Sequence, residues 1–165
     1  MKFFFLILFM IPNLIYANSI SCKFEEVYPN GDLQQGSIYI QDSNIRYEYS
    51  NLDLYTLIYK KKKLYFIRNR EPDKFEKITK NTDLFFKILE INKEFPEIDL
   101  DQTYKEMSIK IELNENDRFI KRLAISSQDL NLSIYLIDCN NEFIDKEYFS
   151  HNPFKKTVSI DQNIF

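Results

Sequence analysis

Alternation of apolar and polar residues is the feature that most constrains how this chain folds. Its clearest example runs from Met107 to Leu113, where every second side chain is apolar. Such a segment buries one face and leaves the other in water, as a strand of an antiparallel sheet does. Six further segments are predicted strands: 36–41, 45–49, 55–59, 64–68, 119–126 and 132–137. Polar turn segments separate the strands at intervals of roughly ten residues, which is typical of a β-meander.

The middle of the chain has helical spacing instead. Residues 81–90 carry apolar side chains three or four positions apart, with Asn81 or Thr82 as a suitable N-cap. These apolar residues are Leu84, Phe85, Ile88 and Leu89. The chain is therefore predicted to be a single domain, mainly β, with an antiparallel sheet and one short helix.

The N-terminus predicts export. Residues 1–17 begin with Met-Lys, continue with a short apolar run and end in Ala17, which is the pattern of a secretory signal peptide. Cleavage after Ala17 would leave residues 18–165 as the mature domain. An uncleaved membrane anchor is the less favoured alternative, because the apolar run is too short to span a bilayer comfortably.

The chain has two cysteines, Cys22 and Cys139. An exported protein meets an oxidising compartment, where an even number of cysteines favours a disulfide. The pairing stays open at this stage, because it depends on geometry that the sequence does not give. Cys22 could instead be the lipid-modified first residue of a bacterial lipoprotein. That alternative is disfavoured because Ser19 stands where the usual lipidation signal has an aliphatic residue.

Composition argues against several classes of function. The net charge of −3 removes the broad electrostatic reason to bind nucleic acid. The chain has 2 glycines, and neither belongs to a phosphate-binding loop. Its single histidine, His151, would have to serve any catalytic triad, and it is more simply a surface-loop residue. Without a second histidine or a cysteine cluster, neither a transition-metal site nor a cofactor is expected.

The acidic residues are expected to be exposed or to lie in polar turns. Glu25, Glu26, Asp99 and Asp101 are the ones that lie close together in sequence. A pair of acids for glycoside hydrolysis is disfavoured for the same reason, since paired acids on a wet face are usually only solvated.

Tyrosines crowd three neighbouring predicted strands. They are Tyr39, Tyr47, Tyr49, Tyr55 and Tyr59. A sheet with such a face could have an ordinary aromatic core, or it could curve around a cavity for an apolar ligand. Composition alone favours the core.

The order of these elements carries a family resemblance. The segments that match in chain order are Phe24 with Glu26, then 36–40, 45–47, 57–59, 64–66, the helix 81–90, and 109–113, 116–120 and 149–153. Together with the export signal, they resemble the periplasmic carriers of outer-membrane lipoproteins, the LolA family.

The resemblance implies a fold and a function. The fold would be a strongly curved, incomplete antiparallel β-barrel, or half-barrel, with a short lid helix. Its concave face would hold the acyl chains of lipoproteins, whose exposure to water costs about 0.8 kcal/mol per CH₂. The carrier would be a periplasmic monomer without catalytic residues. It would take its cargo from an inner-membrane exporter and deliver it to an outer-membrane receptor.

The resemblance also implies a set of cavity residues. Tyr39, Tyr47 and Leu57 match by position on adjacent strands, and strand alternation adds their neighbours. The full predicted set is Tyr39, Ile45, Tyr47, Tyr49, Tyr55, Leu57 and Tyr59 on strands, with Leu84, Phe85 and Leu89 on the helix. For each residue, plain core packing is the alternative.

The chain departs from the family pattern in three places. Only residues 18–21 precede the first strand, where the family has an amphipathic helix. Asp42-Ser43 replaces an Arg-Pro pair whose arginine latches the lid. Residues 92–106 include Pro96 and leave little room for a further hairpin. These departures favour one alternative, an envelope module that binds or senses lipids or lipoproteins without shuttling them. A hydrolase is a separate alternative, and only His151 could serve as its base.

Overall fold

The computed structural model describes residues 19–78, 82–114, 116 and 119–150. The predicted signal peptide, Asn81 and His151 lie outside these residues. Within the described ranges the chain forms ten β-strands, one α-helix and one short 3₁₀ helix. No helix in these ranges is both long enough and apolar enough to cross a membrane.

The strands follow the predicted alternation closely. Their bounds are β1 Ser19–Val27, β2 Leu33–Gln41, β3 Asn44–Tyr49, β4 Tyr55–Lys60, β5 Lys63–Arg68, β6 Phe75–Ile78, β7 Asp101–Tyr104, β8 Met107–Leu113, β9 Ile120–Ser126 and β10 Asn131–Asn140. All seven predicted strands are present, with ends shifted by at most a few residues. Residues 92–106 contribute one strand that was not predicted, β7, and it pairs with the predicted strand β8.

The predicted helix is present as α1, Asp83–Glu94, between β6 and β7. Thr82 occupies the N-cap position, but its side chain makes no capping hydrogen bond. The helix continues past the predicted end at residue 90 because Ile91 and Asn92 are buried against the sheet. Packing of an apolar face, rather than capping, therefore stabilises α1.

All ten strands join one antiparallel sheet in the order β6-β5-β4-β3-β2-β1-β10-β9-β8-β7. Two meanders, β1–β6 and β7–β10, meet where β1 pairs with β10. The sheet is not closed, and β6 and β7 form its two edges. The prediction of a mainly β chain with an antiparallel sheet and one helix is confirmed.

The two faces of the sheet differ in what covers them. The face that carries Phe24, Gly36 and Tyr49, which are cross-strand neighbours, also carries α1 and is called the helix face below. The other face is called the outer face. A Cβ atom at Gly36 would overlap both the Phe24 ring and the carbonyl oxygen of Glu48. The glycine is therefore needed for close packing of the Phe24 ring over β2.

The outer face of β2–β5 is covered by the chain that follows β10. This segment, residues 141–150, includes the 3₁₀ helix Lys146–Phe149 and buries Ile144 and Phe149. The two side chains pack with Ile58 and Ile67 in a second, smaller core. Each face of this half of the sheet is therefore covered, the helix face by α1 and the outer face by residues 141–150.

A disulfide joins Cys22 to Cys139 where the two meanders meet. Simple alternation from Ile134 and Leu136 would turn Cys139 to the outer face. A β-bulge prevents this, because the register shifts opposite Cys22 and Asp138 adopts a positive φ of 53°. A sulfur in this bond cannot also carry a lipid, so the structure disfavours Cys22 as a lipidated first residue.

Candidate functional site

Most of the predicted cavity residues share the helix face. Ile45 pairs with Tyr59 and Tyr47 pairs with Leu57 across β3 and β4, so these four side chains point to the same side. The Tyr49 ring lies 5.0 Å from the Tyr55 ring on that side. All six belong to the main core cluster or pack against it. The sequence prediction therefore brought together the correct side chains on β3 and β4.

The prediction is wrong for Tyr39. Its cross-strand partner is Arg46, not Tyr47, so its side chain points to the outer face. There the Tyr39 ring lies 4.7 Å from the ring of Tyr148. The helix-face neighbour of Tyr47 on β2 is Ile38. The register that relates one strand to the next is a tertiary property, and the sequence did not give it.

The three predicted helix residues lie against this face. The Phe85 ring is 6.4 Å from the Tyr47 ring and 6.3 Å from the Tyr59 ring, measured between centroids. Leu89 is buried and Leu84 is half-buried against the same core. α1 therefore covers an aromatic and aliphatic surface.

The space left under α1 is small. A cavity of about 30 Å³ lies between Ile88 and Ile91 of the helix and strands β1, β2, β9 and β10. Its lining is apolar except for Asn92. Pockets that hold small-molecule ligands measure roughly 300–1,000 Å³. Among the described residues, the side chains of α1 therefore leave no cavity of that size beneath the helix. An open pocket of about 460 Å³ lies beside its first turn instead, lined in part by Leu84, Phe85 and Met107.

The expectation that Glu26 is exposed or lies in a turn is wrong. Glu26 is only 4% exposed. It lies two residues after Phe24 on β1, so its side chain points to the same face, the helix face. Tyr47 donates a hydrogen bond to Oε1 at 2.7 Å, while Tyr28 and Tyr49 donate to Oε2 at 2.8 and 2.7 Å. Three phenol donors thus compensate a buried carboxylate.

The phenol groups of these three tyrosines keep their protons. Burial first, and then the nearby Glu26 carboxylate, raise the pKa of Tyr47 and of Tyr49 above the ordinary tyrosine value. The same causes raise the pKa of Tyr28 to about 12. All three phenols therefore stay protonated through the physiological range and keep donating to Glu26.

An open pocket of about 210 Å³ adjoins this cluster at the end of the sheet. Its walls include Tyr28, Tyr49 and Tyr55, and Asp32 lies at the same opening. The turn that presents Asp32 is fixed by a hydrogen bond from its own N–H to Asn30 Oδ1 at 3.1 Å, and by one from Asn30 Nδ2 to its carboxylate at 2.7 Å. The sequence analysis did not predict this pocket. The one available signal was that Phe24 and Glu26 lie two residues apart on β1 and therefore point to the same face.

A buried arginine fixes the cover of the outer face. Arg46 is 5% exposed and its Nε donates to Glu48 at 2.7 Å. Its Nη1 donates to the carbonyl oxygens of Tyr148 and Ser150 at 3.3 and 3.2 Å, and the guanidinium lies 5.0 Å from the Tyr148 ring centroid. Arg46 points away from α1, so it holds the cover of the outer face and does not hold the helix.

The polar contact that ties α1 to the sheet is of a different kind. Lys105, in the β7–β8 turn, lies 2.6 Å from the carboxylate of Asp83 at the start of α1. Both side chains are largely exposed, so solvent screens their attraction. Apolar packing therefore accounts for most of the attachment of α1.

The sequence matches no protein-family model, and no curated protein matches it significantly. The resemblance to lipoprotein carriers consequently stays a prediction from the sequence. Within the described ranges, no cluster of three or more His, Cys, Asp or Glu residues could hold a metal ion.

Proposed function

We propose that this protein is a carrier of the bacterial periplasm that holds the acyl chains of lipoproteins against the helix face and delivers them towards the outer membrane. The observation that carries the proposal is the helix face itself: an aromatic and aliphatic surface on an open sheet, covered by one helix. Bound acyl chains need such a surface, because exposing each CH₂ to water costs about 0.8 kcal/mol.

The way α1 is held supports its role as a lid. Its apolar side chains fill the space that an acyl chain would occupy, and its tie to the β7–β8 turn is the exposed pair of Lys105 and Asp83. A chain that displaced α1 would replace one set of apolar contacts with another. Opening would break two exchangeable charged contacts, Lys105 with Asp83 and Lys87 with the Tyr104 ring, and would expose the buried side chain of Asn92.

Contacts of the first turn of α1 support a strongly curved half-barrel. Phe85 contacts Tyr59 on β4, and Asp83 contacts Lys105 beyond β7, near the far edge of the sheet. In a flat sheet these two points would lie about 30 Å apart, given strand spacings near 4.8 Å. One helical turn can reach both points only if the sheet curves around it.

Two observations favour a second candidate, an envelope module that binds or senses lipids or lipoproteins without shuttling them. The cavity under α1 is only about 30 Å³. The turn between β2 and β3 has Asp42-Ser43 where the family pattern has its latch. Such a module would share the helix face and α1, but it would need neither the inner-membrane exporter nor the outer-membrane receptor as partners. Neither candidate includes a catalytic step.

Native mass spectrometry of the protein purified from the periplasm of an expressing bacterium, with and without a co-expressed lipoprotein, tests the proposal. A one-to-one adduct with the triacylated cargo is the expected result. An adduct with free lipid alone would favour the second candidate. A protein that carries neither, and does not enhance the fluorescence of a hydrophobic dye, would reduce the helix face to an ordinary core and overturn both.

A further inference from the structure

The pocket beside Glu26 combines aromatic walls with negative charge. It lies where β1 turns into β2 and β3 turns into β4, at the end of the sheet opposite the disulfide. The rings of Tyr49 and Tyr55 pack edge to face, 5.0 Å apart at an interplanar angle of 73°. Tyr49 is only 6% exposed, so Tyr55 presents more of the ring surface to the pocket. Tyr28 contributes a third aromatic side chain.

The lining of the pocket is acidic, and Arg68, the cross-strand partner of Tyr55, lies outside it. The residues that line the pocket include one acidic side chain, Asp32, and no lysine or arginine. The Glu26 carboxylate lies directly behind the phenol groups of Tyr28 and Tyr49. Aromatic faces and carboxylates both attract cations, and the attraction to rings strengthens when the cation is partly desolvated.

The hydrogen bonds of Glu26 determine which cation fits. Its Oε2, the oxygen towards the pocket, already accepts hydrogen bonds from both Tyr28 and Tyr49. The carboxylate thus offers its charge without offering a lone pair for another donor. A cation that carries no N–H groups loses nothing there, whereas a primary ammonium could donate to the exposed Asp32 carboxylate at the opening but not to Glu26 Oε2.

We propose that this pocket binds a quaternary ammonium group, such as the trimethylammonium group of choline or of a choline-containing headgroup. Tyr28 and Tyr55, which are both half-buried, form the aromatic cage with the small exposed part of Tyr49, and Asp32 and Glu26 supply the negative potential. The pocket volume of about 210 Å³ leaves room for one such group. The pocket shares no lining residue with the cavity under α1, although Tyr49 and Tyr55 lie on the same helix face.

Two-dimensional NMR titration of the protein, purified after export, tests this proposal. Choline is the ligand, and its uncharged isostere 3,3-dimethyl-1-butanol is the matched control. Choline should shift resonances of residues 28–34 and 49–55 and bind at least roughly tenfold more tightly than the isostere. Equal binding of the two, or shifts only elsewhere in the chain, would overturn the proposal.

Variants localise the site. Tyr55→Leu keeps an apolar side chain but removes a cage wall, and should weaken choline binding roughly tenfold. Tyr104→Leu is its control, because Tyr104 is a half-buried tyrosine of β7 outside the pocket. Asp32→Asn should weaken binding severalfold, while Asp129→Asn, in the β9–β10 turn, should not. Asp32 is exposed, so its variant tests the site even if Tyr55→Leu fails to fold.

A second titration distinguishes the source of the group. A short-chain phosphatidylcholine below its micelle concentration presents the same trimethylammonium group on a lipid. If this lipid shifts the same resonances, and Tyr55→Leu weakens its binding, then a lipid headgroup is a ligand of the pocket. If choline binds but this lipid does not, the ligand is a small soluble ammonium compound. Loss of both responses in wild-type protein would contradict the site.

Discussion

The two covers of the sheet are attached by different chemistry. Residues 141–150 cover the outer face and are held by the buried guanidinium of Arg46 through two carbonyl oxygens and a tyrosine ring. α1 covers the helix face and is held by apolar contacts, with an exposed ion pair at its first turn. Directed, buried contacts resist displacement, whereas apolar contacts can be exchanged for those of a ligand. If the protein is the proposed carrier, this difference predicts that it opens at α1.

Loss of the disulfide should have the largest effect, and it should affect both covers alike. Cys22 and Cys139 are 117 positions apart, and cross-links that close loops of such length stabilise a fold by about 4–5 kcal/mol in the chain-entropy model. The double variant Cys22→Ala/Cys139→Ala should lower the free energy of unfolding by about that amount, measured by urea denaturation. If instead hydrogen exchange accelerated only in α1, the bond would support the helix face alone.

Truncation under α1 should have the next largest effect and should separate the covers. Phe85 is 8% exposed and contacts Tyr47 and Tyr59, whereas its neighbour Phe86 is 38% exposed. Phe85→Ala should cost about 3 kcal/mol of stability and increase the binding of a hydrophobic dye to the folded protein. Phe86→Ala is the control on the same helix and should change neither quantity much.

A result in which Phe85→Ala lowers stability without raising dye binding would count against an opening helix. α1 would then be a fixed part of the core. Hydrogen exchange gives an independent measurement, because a displaceable helix exchanges its amides through local opening at a lower free energy than the central strands do.

Removal of the Arg46 guanidinium, which holds residues 141–150 to the outer face, should destabilise the fold without exposing the helix face. Arg46→Met keeps much of the apolar stem but deletes hydrogen bonds from a buried charge, which should cost about 2 kcal/mol. Arg122→Met is the matched control. Arg122 also pairs with a glutamate, Glu112, and lies over a tyrosine ring, but its side chain is 30% exposed. Its loss should cost less than about 1 kcal/mol.

Dye binding again distinguishes the two covers. Arg46→Met should leave dye binding of the folded protein unchanged, since residues 141–150 lie on the opposite side of the sheet from α1. A strong rise in dye binding would mean that the outer cover also shields a ligand surface, and the contrast between the covers would fail.

Sequence reasoning predicted the parts of this fold that depend on local alternation. It did not predict β6 and β7 as strands, because edge strands such as Asp101–Tyr104 carry no apolar alternation. The side assigned to Tyr39 was wrong, because register between strands is set by the assembled sheet. The buried state of Glu26 depends on tyrosines that follow it by two, 21 and 23 positions, so only the tertiary structure could reveal it.

The smallest of the predicted effects concerns the tyrosines around Glu26, and it appears only at high pH. The pKa values of Tyr28, Tyr47 and Tyr49 are raised in the folded state, so the unfolded chain loses these phenol protons first. Their contribution to stability is therefore fully present below a pH of about 10 and is lost as pH rises through the folded-state values. Above that pH a buried tyrosine such as Tyr47 should cost about 1 kcal/mol per pH unit.

Denaturation at a series of pH values, with phenolate formation followed by absorbance, measures this loss. Tyr47→Phe and Tyr49→Phe should each flatten the alkaline slope. Tyr135→Phe, on β10 outside the Glu26 cluster, should leave it unchanged. If both core variants kept the wild-type slope, Glu26 would not be coupled to these phenols. The helix face would then lack the polar anchor that distinguishes its Glu26 end from the apolar surface under α1.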